Sequence, residues 1–205
     1  MKKFELTAEF VTNVFGKKLF RIKALVAFGN VEKGELGGFI EKEDNLSHDG
    51  DAWVYGNAQV SGNAWVFGNA QVFGNARVYG NAQVSGNARV YGDAQVSGDA
   101  LVSGNARVSG DALVSGNARV SGNARVYGDA DYAVVKGFGR CFRTTTFFRC
   151  KDKILRVQCG CFYGDLAQFR EIVKKTHGDS KYAKEYLAIA DLMELHFSDE
   201  CGGEQ

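Results

Sequence analysis

Valine recurs at every sixth position from Val54 to Val126, thirteen times without a miss. Alanine stands two residues before each valine, from Ala52 to Ala124, and glycine followed by Asn or Asp comes after each one. The unit is Ala-x-Val-x-Gly-Asn/Asp. Ala and Val lie two apart, so in an extended chain they share one face while the x residues point the other way. The Gly-Asn/Asp pair tolerates a tight turn, with left-handed φ open to both residue types. Such units fold as short strands joined by sharp corners, and three of them close an 18-residue triangular coil. Stacked coils lie about 4.8 Å apart with backbone hydrogen bonds along the axis, so thirteen units make a solenoid roughly 20 Å long. A helix is excluded, because the period is not 3.6 and glycine at every sixth position would be costly.

This small-residue/aliphatic pattern resembles the hexapeptide-repeat family. The resemblance implies a mainly β protein built on a left-handed parallel β-helix, commonly assembled as a homotrimer of side-by-side solenoids. The segment before the repeat, Leu36-Gly37-Gly38-Phe39-Ile40 running to Asn45-Leu46-Ser47, resembles hexapeptide-repeat proteins of bacteriophages, prophages and gut bacteria. Phages encode small proteins that inhibit host defence by blocking a protein or sequestering a nucleotide signal, and the resemblance suggests that kind of role. Family acyltransferases use a histidine base on a coil or projecting loop. Here His48, His177 and His196 all lie outside the regular repeat, and the unbroken valine register leaves no inserted loop. The solenoid is therefore expected to be a non-enzymatic scaffold.

Both ends of a solenoid expose unpaired strand edges and need caps. Residues 1–47 read as an N-terminal β cap, with strands over 4–14 and 18–28 joined at Gly16-Lys17 into a hairpin. Residues 48–132 are the β-helix and 133–205 a small C-terminal α+β domain. In the last, 144–150 and 154–159 read as a hairpin. Asp165 caps a helix with Leu166, Phe169, Ile172 and Val173 on its inner face, and Gly178 stops it. Ser180 caps a second helix running to about Phe197, giving a ββαα unit.

The 25 Lys+Arg and 24 Asp+Glu nearly balance, which argues against general nucleic-acid or membrane-surface binding. No apolar run approaches the roughly 18 residues a membrane span needs, and Met1-Lys2-Lys3 is not followed by one, so a cytoplasmic chain is expected. Five cysteines, none in the repeat, fit reduced thiols. Cys150, Cys159 and Cys161 with His177 are the weak candidates for zinc. Cys-x-Cys departs from the usual ligand spacing, and alternation on a strand makes buried thiols the simpler reading. No cofactor is expected.

The 18-residue register sorts the outward residues into faces. One column holds Tyr55, Phe73, Tyr91 and Tyr127, broken by Ser109. Beside it runs Trp53, Gln71, Arg89, Arg107 and Arg125. A second face carries Trp65, Phe67, Leu101 and Arg119, and the third Arg77, Tyr79 and Leu113. So many outward rings require cover or a partner. Trp53, Tyr55, Phe73, Trp65 and Phe67 are candidates for the subunit interface if the N-terminal hairpin does not shield them. Arg89, Arg107 and Arg125 with Tyr91 and Tyr127 are candidates for binding a nucleotide-like molecule or a host protein. Arg140, Arg143, Arg149, Lys151, Lys153 and Arg156 face Asp152 alone in the sequence, and Arg149 and Arg156 are the pair from that run expected to meet an acidic or phosphate-bearing partner. Stacked Asp93, Asp111 and Asp129 read as solvated turn residues, with a cation as the rival. Residues 49–131 hold no Thr and no Glu, which argues against an ice-binding face or DNA mimicry. An enzyme with its chemistry in 133–205, and a structural polymer, are the alternative readings.

Overall fold

A computed structural model describes residues 1–198; Cys201 lies outside the described residues. The chain divides into two compact units, Met1–Asp129 and the residues from Ala130 onward.

The first unit is a parallel β-solenoid carrying its own N-terminal cover. Strands β1 (Phe4–Thr12) and β2 (Lys18–Ala24) form an antiparallel hairpin, and β3 (Leu36–Ile40) follows. Thirteen two-residue strands then recur at every sixth residue, from β4 (Trp53–Val54) to β16 (Arg125–Val126). They stack at 18-residue spacing into three parallel sheets, and Val90 pairs with Val72 on one side and Val108 on the other. The Ala and Val of each unit are fully buried, forming the thin core that the alternation demands.

The corners divide the labour differently from the sequence reading. Each repeat glycine from Gly56 to Gly122 has φ between 60° and 73°, whereas none of the following Asn or Asp residues has positive φ. A second constraint also holds glycine there. A Cβ on Gly86 would lie 3.0 Å from both the nitrogen and the oxygen of Gly104 in the next coil. The asparagines instead make side-chain ladders along the axis. Asn69 donates to Asn87 at 3.2 Å, and Asn87 to Asn105 at 3.1 Å. On another edge Asn81 (2.9 Å) and Asn117 (3.4 Å) both donate to Asp99, because a carboxylate only accepts.

The backbone bonds between coils all have one polarity. Gln71 N–H donates to the Ala88 carbonyl at 2.9 Å and Phe73 N–H to Val90 at 3.0 Å, each one coil further on. Without caps the first coil would therefore present bare carbonyls and the last bare N–H groups. The caps match this in kind. Backbone N–H groups of Phe39, Glu41 and Ser47 donate to Ala58, Val60 and Val66. The Asn45 amide donates to the Gly62 (3.1 Å) and Ala64 (2.8 Å) carbonyls. The Lys3 ammonium donates to the Gly50 (3.1 Å) and Ala52 (2.9 Å) carbonyls. At the opposite end the Asp129 carboxylate accepts from Leu113 N–H at 2.9 Å.

β3 and Leu46 serve as an irregular first coil, with Ile40 beside Val60 and Leu46 beside Val66. Residues 1–47 are thus continuous with the solenoid sheet, whose order begins β1-β2-β3. Gly38 takes the alanine position two residues before Ile40. A Cβ there would lie 2.6 Å from the Ala58 carbonyl oxygen, so the Gly-Gly pair is fixed by close packing.

In the second unit four antiparallel strands precede two helices. These are β17 (Tyr132–Phe138), β18 (Arg143–Arg149), β19 (Leu155–Cys159) and β20 (Phe162–Asp165), then α1 (Leu166–His177) and α2 (Lys181–His196). The hairpin, both helices and the caps at Asp165, Gly178 and Ser180 stand where the sequence placed them. The ββαα reading lacked β17 and β20, two edge strands with weak alternation, so the unit is ββββαα. Its core joins Phe147, Val157, Phe169, Val173, Tyr186 and Met193. Among the described residues no helix is long and apolar enough to cross a membrane.

Candidate functional site

The most distinctive exposed chemistry of the solenoid is on the sheet that runs from β4 to β16. Arg89 pairs in register with Gln71 and Arg107, and Arg107 with Arg125, so the three arginines form a column along the axis. Beside it Phe73 and Tyr91 stack with ring centroids 4.7 Å apart and planes 2° from parallel. Arg125 donates to the Tyr127 hydroxyl at 2.9 Å. Neither Arg89 nor Arg107 has a carboxylate partner among the described residues. Both line an open polar groove of about 470 Å³ whose floor is the Asn69–Asn87–Asn105 ladder, with Asp51 and Gln71 at one end. Burial pushes the nearby Tyr55 hydroxyl above its ordinary pKa, with Glu35 adding to the rise and Arg89 opposing it.

The structure separates the outward aromatics that the sequence grouped together. Trp53 is wholly buried, with Phe28 5.4 Å and Phe4 6.2 Å away, centroid to centroid, so it is removed from the candidate interface residues. N-terminal residues cover it, and Lys3 sits 4.5 Å from the Phe28 ring. The hairpin turn also reaches Tyr79, where Phe15 packs 5.7 Å away. Tyr55, Phe73, Tyr91 and Phe67 are half-buried. Trp65 and Tyr127 are exposed at 42% and 46%, and Trp65 stacks on Phe67 at 4.0 Å.

The basic hairpin is more committed than its charge run suggested. Arg156 bonds Asp152 at 2.7 Å. Arg149 donates to the Phe197 carbonyl at 3.0 Å and lies 4.0 Å from Asp131. Both arginines are held by intramolecular partners, which corrects their assignment as free contacts for an acidic partner. Arg140, Arg143, Lys151 and Lys153 are exposed, and no ion pair holds Arg140 or Arg143 among the described residues.

The cysteines are dispersed. Cys150 is buried, Cys159 accepts from the Thr145 hydroxyl at 3.2 Å, and Cys161 is exposed. Among the described residues no group of three or more His, Cys, Asp or Glu side chains is arranged to hold a metal ion. Cys150, Cys159, Cys161 and His177 are thus not brought together as one ligand set. Asp93 instead accepts from Asn75 at 3.1 Å, and Asp129 is spent on the Leu113 cap. Cys159 and His177 do share the wall of a cavity of about 330 Å³ between the sheet and the helices of the second unit. Ile172, read as core, is 39% exposed and lines that cavity, as do Phe162 and Tyr186. Sequence alternation could mark these residues as apolar but not as lining a hollow. Burial raises the Tyr186 hydroxyl to about 12, with Cys159 and Cys141 adding to the rise.

Stacked parallel coils with a shared core and capped ends define a β-solenoid repeat protein. Residues 58–71, 70–83, 82–98, 94–108, 100–116, 106–120 and 118–130 match the YdcK beta solenoid repeat, so the chain carries a YdcK-like solenoid domain. No curated protein matches the chain.

Proposed function

We propose that this is a non-enzymatic binding protein. The solenoid is its scaffold and oligomerisation body, and the Arg89–Arg107–Arg125 column takes up an acidic or phosphate-bearing partner. The observation that carries this reading is the column itself. Cations repeated at coil spacing repel one another, yet Arg89 and Arg107 have no carboxylate partner among the described residues. A guanidinium stripe beside stacked rings suits planar anionic groups, by bidentate bonding to the anion and stacking on the ring. Assembly as a homotrimer through the half-buried Phe73, Tyr91 and Phe67 and the exposed Trp65 would place a second wall against this groove.

The sequence running from Leu36 to Ser47 supports a phage or prophage origin, hence action in the cytoplasm of a bacterial host. There the protein would inhibit a defence response by blocking a host protein or sequestering a nucleotide-like signal. Native mass spectrometry of protein purified from the cells that make it tests the reading. A retained acidic protein or nucleotide-like molecule is expected, and it should be absent from Arg89→Glu/Arg107→Glu. Retention of the same species by the double variant would refute the assignment. Phe73→Ser/Tyr91→Ser should yield a smaller species in light scattering, and an unchanged mass would refute the interface.

A further inference from the structure

The geometry points to a second site, in the C-terminal unit: we infer that the cavity between its sheet and helices binds a small aryl anion, an aromatic ring bearing a carboxylate or phosphate. At about 330 Å³ the cavity lies at the low end of the roughly 300–1,000 Å³ usual for small-molecule sites, room for one ring and its substituent.

The lining has two chemistries. Phe162, Phe169, Ile172 and Val173 supply an apolar wall. The Phe162 and Phe169 rings lie 5.6 Å apart at 48°, and Phe169 meets Tyr186 edge-on at 5.8 Å. Rings held at such angles already satisfy one another's quadrupoles and present one continuous apolar wall to the cavity. Thr176, His177 and Cys141 complete the lining, and two of its other polar groups are engaged within the unit. The Tyr186 hydroxyl donates to the Phe138 carbonyl at 3.4 Å, and Cys159 takes the Thr145 hydroxyl.

Arg140 and Arg143 are different. They line the same cavity, are exposed, and have no carboxylate partner among the described residues, although Glu185 is close enough to accept from Gly139 N–H. Two unneutralised guanidinium groups at the mouth of an apolar slot favour a ligand with an apolar body and an anionic head. A neutral hydrocarbon would leave the arginines unused, and an inorganic anion would leave the wall unused. Ile172 supports the same conclusion. It sits on the inner face of α1, where a closed core would bury it, yet it remains over a third exposed at the cavity.

Calorimetric titration of the full chain with phenyl phosphate, benzoate and neutral benzyl alcohol tests the inference. Saturable one-to-one binding of at least one anion is expected, with benzyl alcohol roughly tenfold weaker or more, as loss of charge-assisted bonds implies. The tighter anion identifies the head group. Arg140→Gln/Arg143→Gln should weaken the anion by roughly tenfold or more at unchanged melting temperature, because both side chains are on the surface. Ile172→Trp should fill the slot and abolish binding. In the Arg89→Glu/Arg107→Glu background, which removes the solenoid face as an anion site, saturable binding and its loss in Arg140→Gln/Arg143→Gln should both persist, which separates the two sites. The inference is overturned if neither anion saturates, if benzyl alcohol binds equally well, or if the Arg140/Arg143 variant binds like the parent. Binding lost only in the Arg89/Arg107 variant would move the anion to the solenoid, sinking this inference while leaving the proposed function intact.

Discussion

Lys3 gives the sharpest test of how the solenoid is ended. Lys3 is 3% exposed, and its ammonium donates to two carbonyls, those of Gly50 and Ala52, that no earlier coil can reach. Burial lowers its pKa from the ordinary lysine value of 10.5 to about 8, with Asp51 and Asp49 pulling the other way. A displacement of that size corresponds to about 3 kcal/mol between the charged and neutral forms. Lys3→Met removes both donors and leaves two carbonyls bare, at a cost of about 1–3 kcal/mol each where water cannot reach them. At neutral pH the two effects oppose, since the variant also escapes the burial of an ammonium, and the net loss should be small. At higher pH they separate. The folded-state pKa lies below the unfolded one, so between about pH 8 and 10.5 the unfolded chain binds the extra proton and stability rises with pH. Neutral Lys3 still donates to its carbonyls, so the deficit of Lys3→Met should grow to about 2–4 kcal/mol by pH 10. The chain has two tryptophans, and Trp65→Phe leaves buried Trp53 as sole reporter of this end. Urea unfolding followed by Trp53 fluorescence at pH 7 to 10, with and without Lys3→Met, measures the difference. Parallel pH profiles for the two proteins would refute the buried-ammonium cap.

Three further outcomes follow from the geometry. Val90→Asp places an unpaired carboxylate between Val72 and Val108 and should cost about 4 kcal/mol or more, collapsing the melting transition of the solenoid. Gly86→Ala should lose about 1–2 kcal/mol for the left-handed φ plus a further penalty against Gly104, whereas Gly116→Ala, with nothing within 4 Å, should lose only the first part; equal losses in thermal melts would contradict the stacking constraint. Arg149→Glu removes the bond to the Phe197 carbonyl and sets a carboxylate near Asp131. It should destabilise the C-terminal unit by about 1–3 kcal/mol in chemical denaturation, and an unchanged midpoint would show the arginine to be free.

The solenoid was legible in the sequence because its determinants are local and repeated. A buried Ala-Val pair every six residues fixes strand, face and 18-residue register at once, and one glycine per unit fixes each corner. The helices of the C-terminal unit were legible for the same reason: Asp165, Gly178 and Ser180 act within a turn of their own residues. Asn at the corner was ambiguous, since a turn residue and a ladder amide have the same sequence; only stacking shows that Asn87 spends its side chain on its neighbours while Gly86 carries the left-handed φ.

What the tertiary structure decided depends on residues far apart in the chain. Trp53 and Trp65 occupy the same outward position of the repeat, yet Trp53 is core because Phe4 and Phe28 fold over it, and Trp65 is exposed. Arg149 and Arg143 belong to one basic run, and only Arg149 is tied down, by Phe197 from the end of α2. The cavity beside Ile172 likewise exists only where sheet and helices fail to close on one another. A repeat dictates which way a side chain points. Whether another segment meets it there is settled by long-range packing, which a six-residue period does not encode.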